Sequence, residues 1–103
     1  MALPKLTDEQ RRAALQKATV ARRRRAEVKA ALKARTMTLA EVFELAETDE
    51  AVAKMKVTAL LEAMPRVGAI TAENILDSIG IARSRRVRGL GALQRNALIE
   101  RFH

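Results

Sequence analysis

The chain has no cysteine, tryptophan or tyrosine, two phenylalanines, two prolines, four glycines and one histidine. Without cysteine there is no disulfide and no thiolate metal site, and no redox compartment is indicated. The lone histidine, His103, is the final residue, and no His/Asp/Glu set has metal-ligand spacing. No glycine-rich phosphate loop follows a strand. These absences argue against an enzyme, and neither a cofactor nor a metal is expected. Phe43 and Phe102 both fall at apolar helix positions, so the aromatic platforms on which single strands usually stack are missing. No apolar stretch approaches the roughly 20 residues of a membrane span, and the start, Met1-Ala2-Leu3-Pro4-Lys5, lacks the apolar run of a signal peptide. A cytosolic protein without membrane contact is expected.

What is present is alanine, aliphatic side chains and positive charge. A length of 103 residues suits one domain. A core of Leu, Ile, Val, Met and Ala packs helices more readily than sheets. The formal charge is +8, unevenly placed: residues 1–35 are net +8, residues 36–53 net −5 and residues 54–103 net +5. Two basic blocks around an acidic one point to an anionic polymer as partner.

The chain reads as a series of helices. Thr7-Asp8-Glu9-Gln10 has the form of a capping box and opens a helix that can run to about Arg35. Its apolar stripe, Ala14, Ala21, Val28 and Leu32, is thin, so its N-terminal half is expected to project or lie loosely. Thr38-Leu39-Ala40-Glu41 is a second capping box, followed by Leu39, Val42, Phe43 and Ala46 at helical spacing. A short turn or helix spans Asp49–Lys54. Val57, Leu60, Leu61 and Met64 give a buried helix ending before Pro65. Gly68 is expected to supply a positive φ. Another helix starts near Thr71 or Ala72, buries Ile75, Leu76 and Ile79, and stops at Gly80. After a loop from Ile81 to Gly91, the last helix is expected to bury Leu93, Ala97, Leu98 and Phe102. No segment alternates apolar and polar residues over strand length, so the fold class is all-α. Residues 1–35 form a long basic helix, and residues 36–103 a compact helical core within one structural domain.

Three places carry candidate chemistry. Arg11, Arg22, Arg25, Lys29 and Lys33 cluster on one edge of the first helix, which has few acids to neutralise them. The turn Pro65-Arg66-Val67-Gly68 precedes a helix whose free N–H groups and dipole suit a phosphate, with Arg66 and Thr71 as side-chain donors. Arg85, Arg86 and Arg88 stand before Gly89-Leu90-Gly91, where glycines let a ligand approach the backbone and arginines give bidentate contacts. The acids Glu41, Glu44, Glu47, Asp49 and Glu50 read as a solvated helix face. Fixed charge without exposed aromatics favours recognition of a duplex backbone with little reading of sequence.

Several segments, in order and over nearly the whole chain, resemble the actinobacterial-type integration host factor. They are Met1-Ala2-Leu3-Pro4-x-Leu6-Thr7-x-Glu9-Gln10-Arg11, the Ala/Arg helix, Lys54-Met55-Lys56-Val57-x-Ala59-Leu60-Leu61-Glu62, Pro65-x-Val67-Gly68 and Arg85-Arg86-x-Arg88-Gly89-Leu90-Gly91. The resemblance implies a monomer with a helix–two-turns–helix core like that of a small-subunit ribosomal protein. It implies a nucleoid-associated role: binding double-stranded DNA with low sequence specificity, bending or compacting it, acting beside phage integrase and in transcription control. By position it places the turn Pro65-Arg66-Val67-Gly68 and the arginines Arg85, Arg86 and Arg88 on the DNA, and the residue reading adds Thr71, Gly89 and Gly91 beside them. Arg22, Arg25, Lys29 and Lys33 would add a second surface, with Lys54 and Lys56 among the DNA-facing cations. Ala69 departs from the lysine common in the family after the turn glycine, which leaves the backbone N–H groups, Arg66 and Thr71 to carry more. A ribosome-associated RNA-binding protein is the alternative that the same charge and core permit.

Overall fold

Thr7 opens the ordered helix as its sequence implies. In the computed structural model, which describes residues 7–102, Gln10 N donates to Thr7 Oγ1 at 3.1 Å and Thr7 N donates to Gln10 Oε1 at 2.9 Å. This reciprocal cap starts α1, Asp8–Lys33, with Asp8 and Glu9 in its first turn, where the helix dipole favours negative charge. The helix stops two residues short of Arg35. Arg35 takes a left-handed φ of 62° and Thr36 N donates to Ala31 O at 2.9 Å. That folded-over end usually has glycine at the left-handed place. The opening segment Met1–Leu6 and His103 lie outside the described residues.

Every residue from Thr7 to Val20 is exposed; Ala14, expected in the apolar stripe, is among them, and Ala21 is only half-buried. Alanine side chains offer too little area to dock a helix, so α1 is held at its C-terminal half by Val28 and Leu32, both buried. Each contributes about 1.5–3 kcal/mol.

The second capping box forms at Thr38, with Glu41 N donating to Thr38 Oγ1 at 3.2 Å and Thr38 N to Glu41 Oε1 at 3.1 Å. It starts α2, Leu39–Ala46, which buries Leu39, Val42 and Phe43. Asp49 caps the short α3, Glu50–Ala53, through Ala51 N and Val52 N. Helix α4, Val57–Ala63, buries Val57, Leu60 and Leu61. Helix α5 spans Ala69–Ile79, starting two to three residues earlier than expected because Gly68 serves as its N-cap. It buries Ala72, Ile75 and Leu76, and ends at Gly80 with a left-handed φ of 81°.

Two expectations fail here. The positive φ of the α4–α5 turn belongs to Arg66, at 66°, while Gly68 is extended at φ −91° and ψ −179°. In the last helix, α6, Ala92–Arg101, Leu98 is buried but Leu93 is 85% exposed. Leu93 lies five residues before Leu98, which places it on the opposite side of the helix with Asn96 and Glu100.

The segment from Ile81 to Gly91 is firmly anchored rather than a free loop. Ile81, Val87 and Leu90 are buried, and a 3-10 turn spans Val87–Gly89. Val57 N donates to Arg85 O at 3.0 Å and Val87 N to Met55 O at 2.9 Å, the bonds of a two-residue antiparallel bridge. The core gathers α1's end, α2, α3, α4 and α5, with α6 closing on α2. The described residues are all-helical apart from turns and this bridge. The exposed half of α1 stretches the molecule to 47 × 33 × 24 Å.

Candidate nucleic-acid interface

Helix α1 crosses α3 and α4, and this crossing assembles most of the cations. Arg25, Lys29 and Lys33 follow one another at i, i+4 and i+8, so they form a row about 12 Å long beside the Val28–Leu32 seam. The first part of the row faces Lys54, Lys56 and Arg86 across a groove of about 390 Å³ floored by Met55 and Ala59. Further along, Lys29 and Lys33 face Ala59 and Ala63 of α4, whose small side chains let the two helices approach. At the far end Lys33 shares a concavity with Pro65, Arg66, Val67 and Gly68. Positions separated by up to 61 residues in the chain thus border one continuous basic face. It carries Lys33 as the link between α1 and the turn, a placement that only the crossing of α1 over α4 reveals.

The turn is built for access. Residues 68–71 are all exposed, and no side chain caps α5. A Cβ on Gly68 would meet nothing within 4 Å, so the fold alone does not require glycine there. Arg66 is exposed and holds a backbone conformation that costs a non-glycine residue about 1–3 kcal/mol. Thr71 stands in the first turn of α5, outside the concavity that Arg66 lines.

The arginines of the second cluster are differently engaged. The segment from Ile81 to Gly91 holds no acid, yet Arg83 Nη1 reaches Glu73 at 3.1 Å and Arg83 Nη2 reaches Asp77 at 3.0 Å, both from α5. The bond and charge of Arg83 hold the Asp77 carboxyl below its usual range, and Asp77 raises Arg83 in turn. Arg85 Nη1 donates to Gly89 O and Arg86 Nη1 to Lys54 O, each at 2.7 Å. The tight approach at Gly89 is made by the chain itself: a Cβ there would lie 2.9 Å from Arg85 Cδ. Arg86 also borders the groove. Arg88 is exposed, and its charge helps lower Glu50, after the larger effects of the Lys54 hydrogen bond and charge and of Lys17. Gly91 N donates to Gln94 Oε1 at 3.1 Å. Arg85, Arg88, Gly89 and Gly91 border none of the three concavities. Arg22, exposed, lies one turn before Arg25 on α1.

Of the run Arg22–Arg25 the sequence singles out only Arg22 and Arg25, and of the other two it is Arg24 that finds partners within the fold. Its Nε lies 2.9 Å from Asp49 Oδ2, and its Nη1 is 3.5 Å from Glu27. Asp49 therefore caps α3 with one oxygen and grips α1 with the other. Glu41 caps α2 and Glu50 pairs with Lys54 at 2.8 Å, so these three acids have structural partners rather than forming only a solvated face. Among the described residues no group of three or more His, Cys, Asp or Glu could hold a metal, and no helix is long and apolar enough to cross a membrane.

The S13-like H2TH domain family matches residues 32–102. Curated proteins called integration host factor match along nearly the whole chain. That of Mycolicibacterium smegmatis is 58% identical over 99% of this chain and 97% of its own length. That of Mycobacterium tuberculosis is 57% identical with the same coverage, and that of Streptomyces coelicolor 52% identical, covering 99% and 95%. The chain belongs to this integration host factor family. A solved structure, described as sIHF bound to an 8-base-pair palindromic DNA, superposes with a TM-score of 0.83 at 46% identity, covering 85% of this chain and 99% of that one. Membership accounts for the helical core and for the order of the motifs along it. It also places the basic face on a fold whose solved relative was captured with DNA.

Proposed function

We propose that this integration host factor family member binds double-stranded DNA through the continuous basic face, with low sequence specificity, and bends or compacts it on the nucleoid in the cytoplasm. The observation that carries this reading is the convergence of Arg25, Lys29, Lys33, Lys54, Lys56 and Arg86 on one groove system that ends at Arg66–Gly68. Fixed cations at helical spacing neutralise phosphates, and the uncapped N–H groups of α5 add neutral donors. Arg22 extends the row along α1, while Arg85, Arg88, Gly89 and Gly91 present a neighbouring strip. The core, with the C-terminal half of α1 packed into it, grips the duplex, and the exposed part of α1 lays further charge along it. The protein acts as a monomer, and support of phage integration beside an integrase and of transcription control follows from shaping DNA for other proteins. The solved relative held on DNA supports the same polymer.

The test is a mobility-shift titration of an unrelated duplex of about 30 base pairs and of an RNA hairpin, at two salt concentrations. Duplex binding that falls by about 0.9 log unit per log unit of salt for each phosphate engaged is the expected result. Equal or tighter binding of the hairpin would favour the ribosome-associated RNA reading instead.

A further inference from the structure

One acid stands inside the basic face. Glu62, exposed, borders both the Lys29–Lys33 concavity and the Lys33–Arg66 concavity. With three cations around it, no ion pair joins it to any of them, whereas Glu27, Asp49, Glu50, Glu73 and Asp77 are all paired. Nor does it serve its own helix. Glu62 is the penultimate residue of α4, where negative charge opposes the helix dipole. Its charge also opposes any polyanion that lies over it. A residue unfavourable to the helix and to general affinity has its use in deciding where the polyanion cannot sit.

We propose that Glu62 sets the register of the duplex on this surface by facing a groove, so that the two phosphate backbones pass on either side of it. One backbone runs over Arg25, Lys56 and Arg86, the other over Lys33 and Arg66. The row from Arg25 to Lys33 rises about 12 Å, enough to reach both backbones that border a groove. A phosphate placed over Glu62 meets repulsion, while a groove placed there brings the phosphates to the flanking cations. This inference rests on the duplex reading above.

The experiment compares the unchanged protein, Glu62→Gln and Glu100→Gln on one 20-base-pair duplex by fluorescence anisotropy and hydroxyl-radical footprinting. Glu100 is exposed on α6 and has no ion pair among the described residues, so its variant makes the same change in net charge away from the face. A unit charge about 6 Å from two phosphates in high dielectric, partly screened, weakens binding ~3- to 10-fold. Glu62→Gln is therefore expected to bind tighter by that factor and to blur two separate protected tracks into one, with Glu100→Gln within about twofold of the parent. Equal gains from the two variants, or an unchanged footprint for Glu62→Gln, would overturn the register role while leaving duplex binding intact. Failure of the unchanged protein to bind the duplex would overturn both readings together.

Discussion

The two arginine clusters look alike in the sequence and behave differently in the fold. In Arg22–Arg25 one side chain, Arg24, is engaged by acids, and Arg25 borders the groove with Lys54, Lys56 and Arg86. In Arg83–Arg88 three of four arginines are engaged by the chain itself: Arg83 by two carboxylates, Arg85 and Arg86 by backbone carbonyls. Arginine density is therefore not binding density. A guanidinium in a turn of an irregular segment meets unpaired carbonyls and is recruited by them, since a buried or crowded carbonyl without a donor is costly. On a long helix the carbonyls are already satisfied within the helix, so the side chains stay available.

The strongest way to break this comparison is to remove the helical row. Replacing Arg25, Lys29 and Lys33 with alanine keeps helix propensity and should weaken duplex binding on the order of 100- to 1000-fold near 0.1 M salt, with the log–log salt slope falling by about three. Arg83→Ala should leave affinity within about twofold in the same anisotropy titration. If the two results were reversed, the contrast between the clusters would be wrong.

The left-handed residues sharpen it further. Arg35 and Arg66 share nearly the same φ, but only Arg66 borders the basic face. Glycine at either place relieves backbone strain, so both variants should gain about 0.5–1 kcal/mol in urea unfolding. Arg66→Gly should also lose roughly tenfold in duplex affinity, whereas Arg35→Gly should lose almost none.

A smaller effect tests the engagement of Arg85. Gly89→Ala forces the Arg85 side chain aside and should cost about 0.5–1 kcal/mol through the hydrogen bond to Gly89 O. Adding Arg85→Ala should make the two changes less than additive in a double-mutant cycle. The smallest effect is the acid limb of stability. Asp77 is held below its usual range by Arg83, so its contribution is complete above the unfolded carboxyl value and disappears as pH falls through the lower folded one. Thermal melts should show this slope in the parent and a shallower one in Arg83→Ala.

Much of this architecture is legible in the residues. Thr7 and Thr38 announce their helices because a capping box needs only four consecutive residues, and the apolar spacing of α2 and α4 names their buried faces. Gly80 marks its helix end because only a left-handed residue closes it cheaply. The misreadings arise where tertiary contacts decide. Gly68 and Arg66 lie two apart in one turn, and propensity assigns the positive φ to the wrong one. Leu93 follows the hydrophobic pattern but faces away from the core. Ile81, Val87 and Leu90, interleaved with arginines, were the available signal that the basic segment is anchored. In the basic face, the spacing of Arg25, Lys29 and Lys33 was readable on a helical wheel. That Arg25 and Lys29 face Lys54 and Lys56, and Lys33 the turn at Arg66, depends on the crossing of α1 over α3 and α4, which no local pattern encodes.

Asp49 gives the exposed arm a mechanical root. Because one carboxylate ties α3 to Arg24, and Val28 and Leu32 seat the helix behind it, α1 is clamped at one end like a cantilever. From Asp8 to Gln16, ahead of the cavity that Lys17 and Val20 line with α3, the free rod is about 12 Å long, so a rotation of about 10° moves its tip about 2 Å. A load on the tip is delivered as torque to one ion pair and two aliphatic side chains. The stiffness with which this protein could hold a curved polymer is thereby concentrated in a hinge far smaller than the surface that does the holding.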